Sequence, residues 1–160
     1  MISKPALLKA IIRSIGDELD LLAGASRAMH EDASHEQNRA EEKYDTRGLE
    51  TAYLASSQAR QATAWEEALA AYQALKMAKF DKHTPVDLTA LVETDSNGER
   101  THYFIGPKAG GIEVQVGKVA VVVITPESPM GALLMGKREG DTFRFQTRGP
   151  SHPVKILSVH

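Results

Sequence analysis

Over the first eighty residues, apolar side chains return every three or four positions. Leu8, Ile12, Ile15, Leu19, Leu22, Ser26 and Met29 alternate spacings of four and three, the heptad seam of a helix that wants a partner. Pro5 suits the first turn of that helix. A second run begins near Gly48 and sets Ala55, Ala59, Ala62, Trp65, Leu69 and Tyr72 along one face, again at helical spacing. Two such stripes joined by a polar turn predict an antiparallel coiled-coil helical hairpin over residues 1–82, with its tip near residues 33–50. Arms of roughly thirty residues run about 45 Å at 1.5 Å per residue. The seam thins from Leu and Ile to Ser26, Ala55 and Ala59, so less burial holds the far end.

After His83 the helical spacing gives way to short runs of β-formers. "VDLTALVET", "RTHYFIG", "KVAVVVI", "TFRFQT" and "VKILSVH" read as short strands, with "SNG" as a hairpin turn after the first. Between the third and fourth, "SPMGALLMGKREGD" reads as a short helix with Ser128 as N-cap, Pro129 at the first helical position and Gly136 near its end. Composition changes at the same place. All ten valines lie at or after Val86, seventeen of the twenty-one alanines lie before it, and no proline separates Pro5 from Pro85. Helix formers fill one half and β-formers the other. The expected architecture is two domains, 1–82 and 83–160, the second a small α+β domain with a mostly antiparallel sheet and one short helix.

Charge and composition narrow the chemistry. A formal net charge of −2 argues against a polybasic surface that grips phosphates directly. The absence of cysteine removes disulfides, thiol catalysis and Cys-based zinc sites, and fits a reducing, cytoplasmic setting. Charges interrupt the apolar residues of "MISKPALLKAIIRSIGDELD" every few positions, so that segment has neither a signal-peptide core nor a membrane span.

The stretch from Ser128 to Asp141 resembles the SPxGxALxGxxxGD signature of the C-terminal domain of bacterial Gre transcript cleavage factors, and the chain reads as a divergent GreA/GreB-like member. Strands flank the stretch, as they do in that family. The resemblance covers about the last fifty residues well and the hairpin in architecture and order. It implies an FKBP-like C-terminal domain docking beside the secondary channel of RNA polymerase, and a hairpin entering the channel to promote cleavage of backtracked RNA by the polymerase's own active site. The factor itself is then not an enzyme and holds no cofactor alone. Contact with backtracked RNA is indirect, and a monomer is expected.

The resemblance also implies site residues. Glu127, Ser128 and Pro129 match the family's docking loop, with Glu in place of the usual Asp. At the tip, Asp45 and Glu50 match the family's acid pair, which helps the polymerase hold a second catalytic Mg²⁺, and Tyr53 matches the family tyrosine, with Glu41 and Glu42 nearby. Magnesium prefers carboxylate oxygens, and such an ion activates water and stabilises the departing oxygen. The family's acids stand three residues apart; here they stand five apart, about 140° around a regular helix instead of about 60°. A channel occupant that inhibits without promoting cleavage therefore stays open beside the cleavage factor, with Gly48 as a place where the backbone could bend.

Other readings fit less well. In "HEDASHE" the histidines are five apart, not the four of a zincin helix. "KAGG" lacks the P-loop pattern and reads as a turn. Trp65 and Tyr72 read as seam packing, and His152 and His160 have no recognisable partner. An FKBP-like fold also raises a peptidyl-prolyl isomerase, whose aromatic cleft would have to come from Tyr103, Phe104, Phe143 and Phe145. A coiled-coil adaptor pairing hairpin with hairpin is a third class.

Overall fold

The computed structural model describes residues 2–37, 46–146 and 149–160. Two long helices come first, α1 (Lys4–Gln37) and α2 (Thr46–Gln73). Strands β1 (Leu91–Ser96), β2 (Glu99–Ile105), β3 (Glu113–Val116) and β4 (Val119–Ile124) follow. The short helix α3 (Pro129–Leu134) then leads to β5 (Thr142–Phe145) and β6 (His152–Val159). The six strands make one sheet in the order β3-β4-β2-β1-β6-β5. Every neighbouring pair is antiparallel except β2 and β4, which run parallel. The chain thus has an N-terminal helical part and a mostly antiparallel sheet with one short helix.

Consecutive residues of a strand point to opposite faces, and in this sheet consecutive residues are buried. Leu91, Phe104, Val121 and Val123 point to one face, and Val92, Ile105 and Ile124 to the other. On the first face the sheet packs against the bases of the two long helices through Leu7, Ile11, Ile15, Ala68 and Tyr72. On the second, Met130 and Leu134 of α3 join Phe143, Val154, Ile156 and Val159. Full burial of one such aliphatic side chain contributes about 1.5–3 kcal/mol, so the helix bases are cemented to the sheet.

This packing revises the stripe read from sequence. The deepest residues of α1 are Leu7 and Ile11, with Ile15, while Leu8, Ile12 and Leu19 are half-buried. A flat sheet excludes more water than one neighbouring helix does, and so it claims the row one position earlier. Along the helices the burial fades as expected. Trp65 and Leu69 are half-buried, whereas Ala55 and Ala59 are exposed, and a cleft of about 420 Å³ opens between Leu19, Leu22 and Ser26 of α1 and Ala55, Ala59 and Ala62 of α2.

Two strand expectations also change. The first strand begins at Leu91 and not at Val86, because the buried Thr89 takes φ 71°, a left-handed conformation no strand contains. It is held there by its N–H donating to Ile105 O (2.8 Å) and its Oγ1 accepting from Ala78 N–H (2.9 Å). The strand β3 is additional to those the pattern predicts; its four residues follow the turn at Ala109 and Gly111, both with positive φ. The "SNG" turn is as expected, with Asn97 and Gly98 at φ 54° and 87°, the two left-handed residues a tight hairpin needs.

Tyr72 closes the helical base. It is fully buried, its Oη donates to Lys108 O at 2.9 Å, and burial holds its phenol well above the ordinary tyrosine range.

Two outcomes are expected from this packing. Ile11→Ala lowers unfolding stability by about 2–5 kcal/mol, whereas Leu21→Ala, at a side chain 68% exposed, changes it by about 0.5 kcal/mol or less; urea titrations compare them. Because the folded pKa of Tyr72 is raised, its contribution is complete below the unfolded value near 10 and is lost as pH climbs above it. The urea midpoint of the native chain therefore falls more steeply above pH 10 than that of Tyr72→Phe.

Candidate functional site

The residues between β4 and α3 form a closed turn. Ser128, in extended backbone at φ −66° and ψ 153°, accepts from Gly131 N–H with its Oγ at 3.0 Å and donates the same hydroxyl to Thr125 O at 2.8 Å. Its own N–H also donates to Thr125 O, at 3.0 Å, and its carbonyl accepts from Ala132 N–H at 2.8 Å. Pro129 occupies the start of α3, where its fixed φ suits the helix and its missing N–H removes no bond. Gly131 completes the turn, since a Cβ there would lie 1.9 Å from Thr125 O. The sequence motif included Gly131 but gave no reason for it; the reason is this close approach of backbone to backbone.

The turn divides its side chains by role. Met130 and Leu134 enter the core, while Glu127 and Pro129 are exposed. One hydroxyl with two hydrogen bonds thus holds a free carboxylate and a rigid proline ring at the surface.

The far end of the helices presents different chemistry. Glu50 is exposed on α2, and Tyr53, three residues on and about 60° around the helix, is 74% exposed. Leu49, 63% exposed, lines a shallow depression with Ala52, Tyr53 and Ser56. Asp45, Glu41 and Glu42 lie outside the described residues, as does the rest of the expected tip from 38 to 45. Gly48 is already within α2. Among the described residues, no group of three His, Asp or Glu could hold a metal ion. No helix among them is long and apolar enough to cross a membrane.

Of the four aromatic residues an isomerase cleft would need, Tyr103, Phe143 and Phe145 lie on the α3 face of the sheet and Phe104 on the other. Phe104 and Phe143 are buried on opposite faces of the sheet. Tyr103 and Phe145 line a cavity of about 230 Å³ with Met130, His152 and Val154, but Thr94, Ser96, Glu99 and Thr101 share it. The edge of Phe145 packs against His152, with ring centroids 6.0 Å apart.

Residues 85–160 match the sequence profile described as "Transcription elongation factor, GreA/GreB, C-term". The chain is 36% identical over 72 residues to transcription elongation factor GreA of Syntrophobacter fumaroxidans, covering 44% of this chain and 42% of that one. It is 36% identical over 69 residues to GreA of Streptococcus pneumoniae, covering 43% and 39%. The chain thus spans about two-fifths of the length of these relatives. A solved structure of the transcription factor Gfh1 aligns over 95% of this chain and 94% of its own, at 19% identity and a TM-score of 0.42; the assignment rests on the sequence matches.

Ser128→Ala is expected to lower unfolding stability by about 1 kcal/mol, and Gly131→Ala by more, since the backbone of Thr125 must move; thermal and urea unfolding of the two variants check the order. Through residues 85–160 the chain is similar to the C-terminal part of the GreA/GreB transcription elongation factors.

Proposed function

We propose that this chain is a transcription elongation factor that binds RNA polymerase through residues 83–160, read as an FKBP-like domain, and inserts its helical hairpin, residues 1–82, into the secondary channel. The observation that carries the reading is the sequence match over residues 85–160, which includes the turn whose geometry leaves Glu127 and Pro129 free. Glu127 meets a basic surface on the polymerase, Pro129 fixes the contact angle, and Ser128 holds both in place. Charge complementarity of this kind sets the association rate and the register.

In the channel the helices act as a rod. From Tyr72 to Glu50, α2 runs roughly 33 Å at 1.5 Å per residue, so a domain docked outside can present a carboxylate well inside. Glu50, together with Asp45, adds oxygen ligands to a Mg²⁺ that the polymerase holds, and an ion so placed assists attack of water on backtracked RNA. No residue of this chain is catalytic by itself; the factor contributes position and ligands. Contact with RNA is indirect, and the setting is cytoplasmic.

A second reading is a channel occupant that does not promote cleavage. It is favoured by the helix that already includes Gly48, since a regular helix there provides no bend to bring Glu50 round towards Asp45.

The test is RNA cleavage in a stalled, backtracked polymerase complex across a range of Mg²⁺ concentrations. The expected result is stimulated cleavage that Asp45→Ala or Glu50→Ala abolishes while binding persists, and binding that Glu127→Lys weakens roughly tenfold, about 1.4 kcal/mol. Binding that depends on Glu127 without any cleavage selects the channel occupant. A chain that does not bind polymerase overturns both readings.

A further inference from the structure

We infer that Tyr72, Glu67, Gly106 and Lys108 form a latch that fixes the direction in which α2 leaves the sheet, and thereby aims the far end of the helices relative to the turn at Ser128. The functional consequence rests on the docking reading above; the latch itself does not.

The loop between β2 and β3 grips α2 at two places. Tyr72 Oη donates to Lys108 O at 2.9 Å, and Lys108 Nζ pairs with Glu67 Oε2 at 2.6 Å. The two anchor points on α2 are five residues apart, about 7.5 Å along the axis. Beside the packing of Ala68 and Tyr72 in the core, these two polar contacts restrain the axis at a second, outer point. Gly106 makes the grip possible: a Cβ there would lie 1.9 Å from Tyr72 Oη and 3.1 Å from Val123 Cγ1. The phenol occupies the space a side chain would need.

The same loop is fastened to the docking turn. Gly106 N–H donates to Ile124 O at 2.8 Å, the last residue of β4. A Cβ on Gly110 would lie 3.3 Å from Thr125 Cγ2. Thr125 O in turn accepts from both the hydroxyl and the N–H of Ser128. Contacts thus run without a break from Glu67 and Tyr72, through residues 106–110, to Thr125 and Ser128. A tilt of about 10° at Tyr72 displaces Ser57 by about 4 Å and Glu50 by about 6 Å, from the helical rise alone, which is enough to move a carboxylate out of a ligand's place.

The absence of cysteine allows a direct measurement on the full chain. Spin labels on Ser57→Cys and Lys155→Cys, both exposed positions, report the distance between α2 and the sheet by pulsed electron resonance, with no polymerase present. The native chain is expected to give one narrow distance. Tyr72→Phe with Glu67→Gln, which keeps the ring and removes only the hydroxyl and the charge, is expected to shift or broaden it by about 4 Å, as the 10° tilt requires, with helix content unchanged by circular dichroism. A distribution that superimposes on the native one overturns the latch. Should the double variant lose helix content, Glu67→Gln alone, at an exposed residue, is read by the same criterion. If the distances respond but polymerase binding ignores Glu127→Lys, the latch stands and the docking reading falls.

Discussion

A sheet buried on both faces cannot be stable without something on each. Here Leu91, Phe104, Val121 and Val123 would face water if the helix bases were absent, just as Val92, Ile105 and Ile124 would without α3. At roughly 25 cal/mol per Å² of apolar surface, neither exposure is tolerable for a domain whose net stability is only about 5–15 kcal/mol. The helical part is therefore more than an appendage: its first turns and its last turns are one wall of the sheet's core. The same burial that stabilises the sheet fixes where the helices start, and everything they do further out depends on that anchorage.

Much of this was legible because the pattern of the apolar residues changes with the element. The spacing of three and four up to Tyr72, and the short runs of β-formers after Val86, report what each segment can bury. Asn97-Gly98 and Ser128-Pro129 mark a turn and a helix start whose dihedral requirements few residues meet. What escaped depends on partners distant in sequence. Leu7 and Ile11 look no more buried than Leu8 and Ile12 until a sheet is placed against them. Thr89 is a strand former in isolation, and only its hydrogen bonds to Ala78 and Ile105 hold it at positive φ, at a cost of about 1–3 kcal/mol. Four residues from Glu113 to Val116, beside a glycine turn, carry too short a pattern to announce β3. The need for glycine at position 106 exists only because Tyr72 arrives from 34 residues earlier in the chain.

The candidate site divides along the same line. The turn at Ser128 could be read locally, since a serine cap, a proline and a glycine within four residues act on one another, and the geometry supplies the closing contact of Gly131 with Thr125. The far end is harder to read. Glu50 and Tyr53 share one side of α2 by spacing alone, but a carboxylate becomes a metal ligand through convergence with others, and convergence is a property of three dimensions.

Burial along the helices falls from fully enclosed residues at the base, through half-buried Leu19 and Trp65, to exposed Ala55 and Tyr53. Local opening costs least where the fewest apolar contacts are lost, so resistance to bending must fall in the same order. Such a gradient makes the helices stiff at the sheet and compliant away from it. The base must resist torque, because any tilt there is multiplied by the length of α2. The far end can bend at little cost to the core, since Ala55 and Ala59 bury little that would have to be exposed. Stiffness at the base and compliance further out are then consequences of where leucine and isoleucine give way to alanine and serine along two helices.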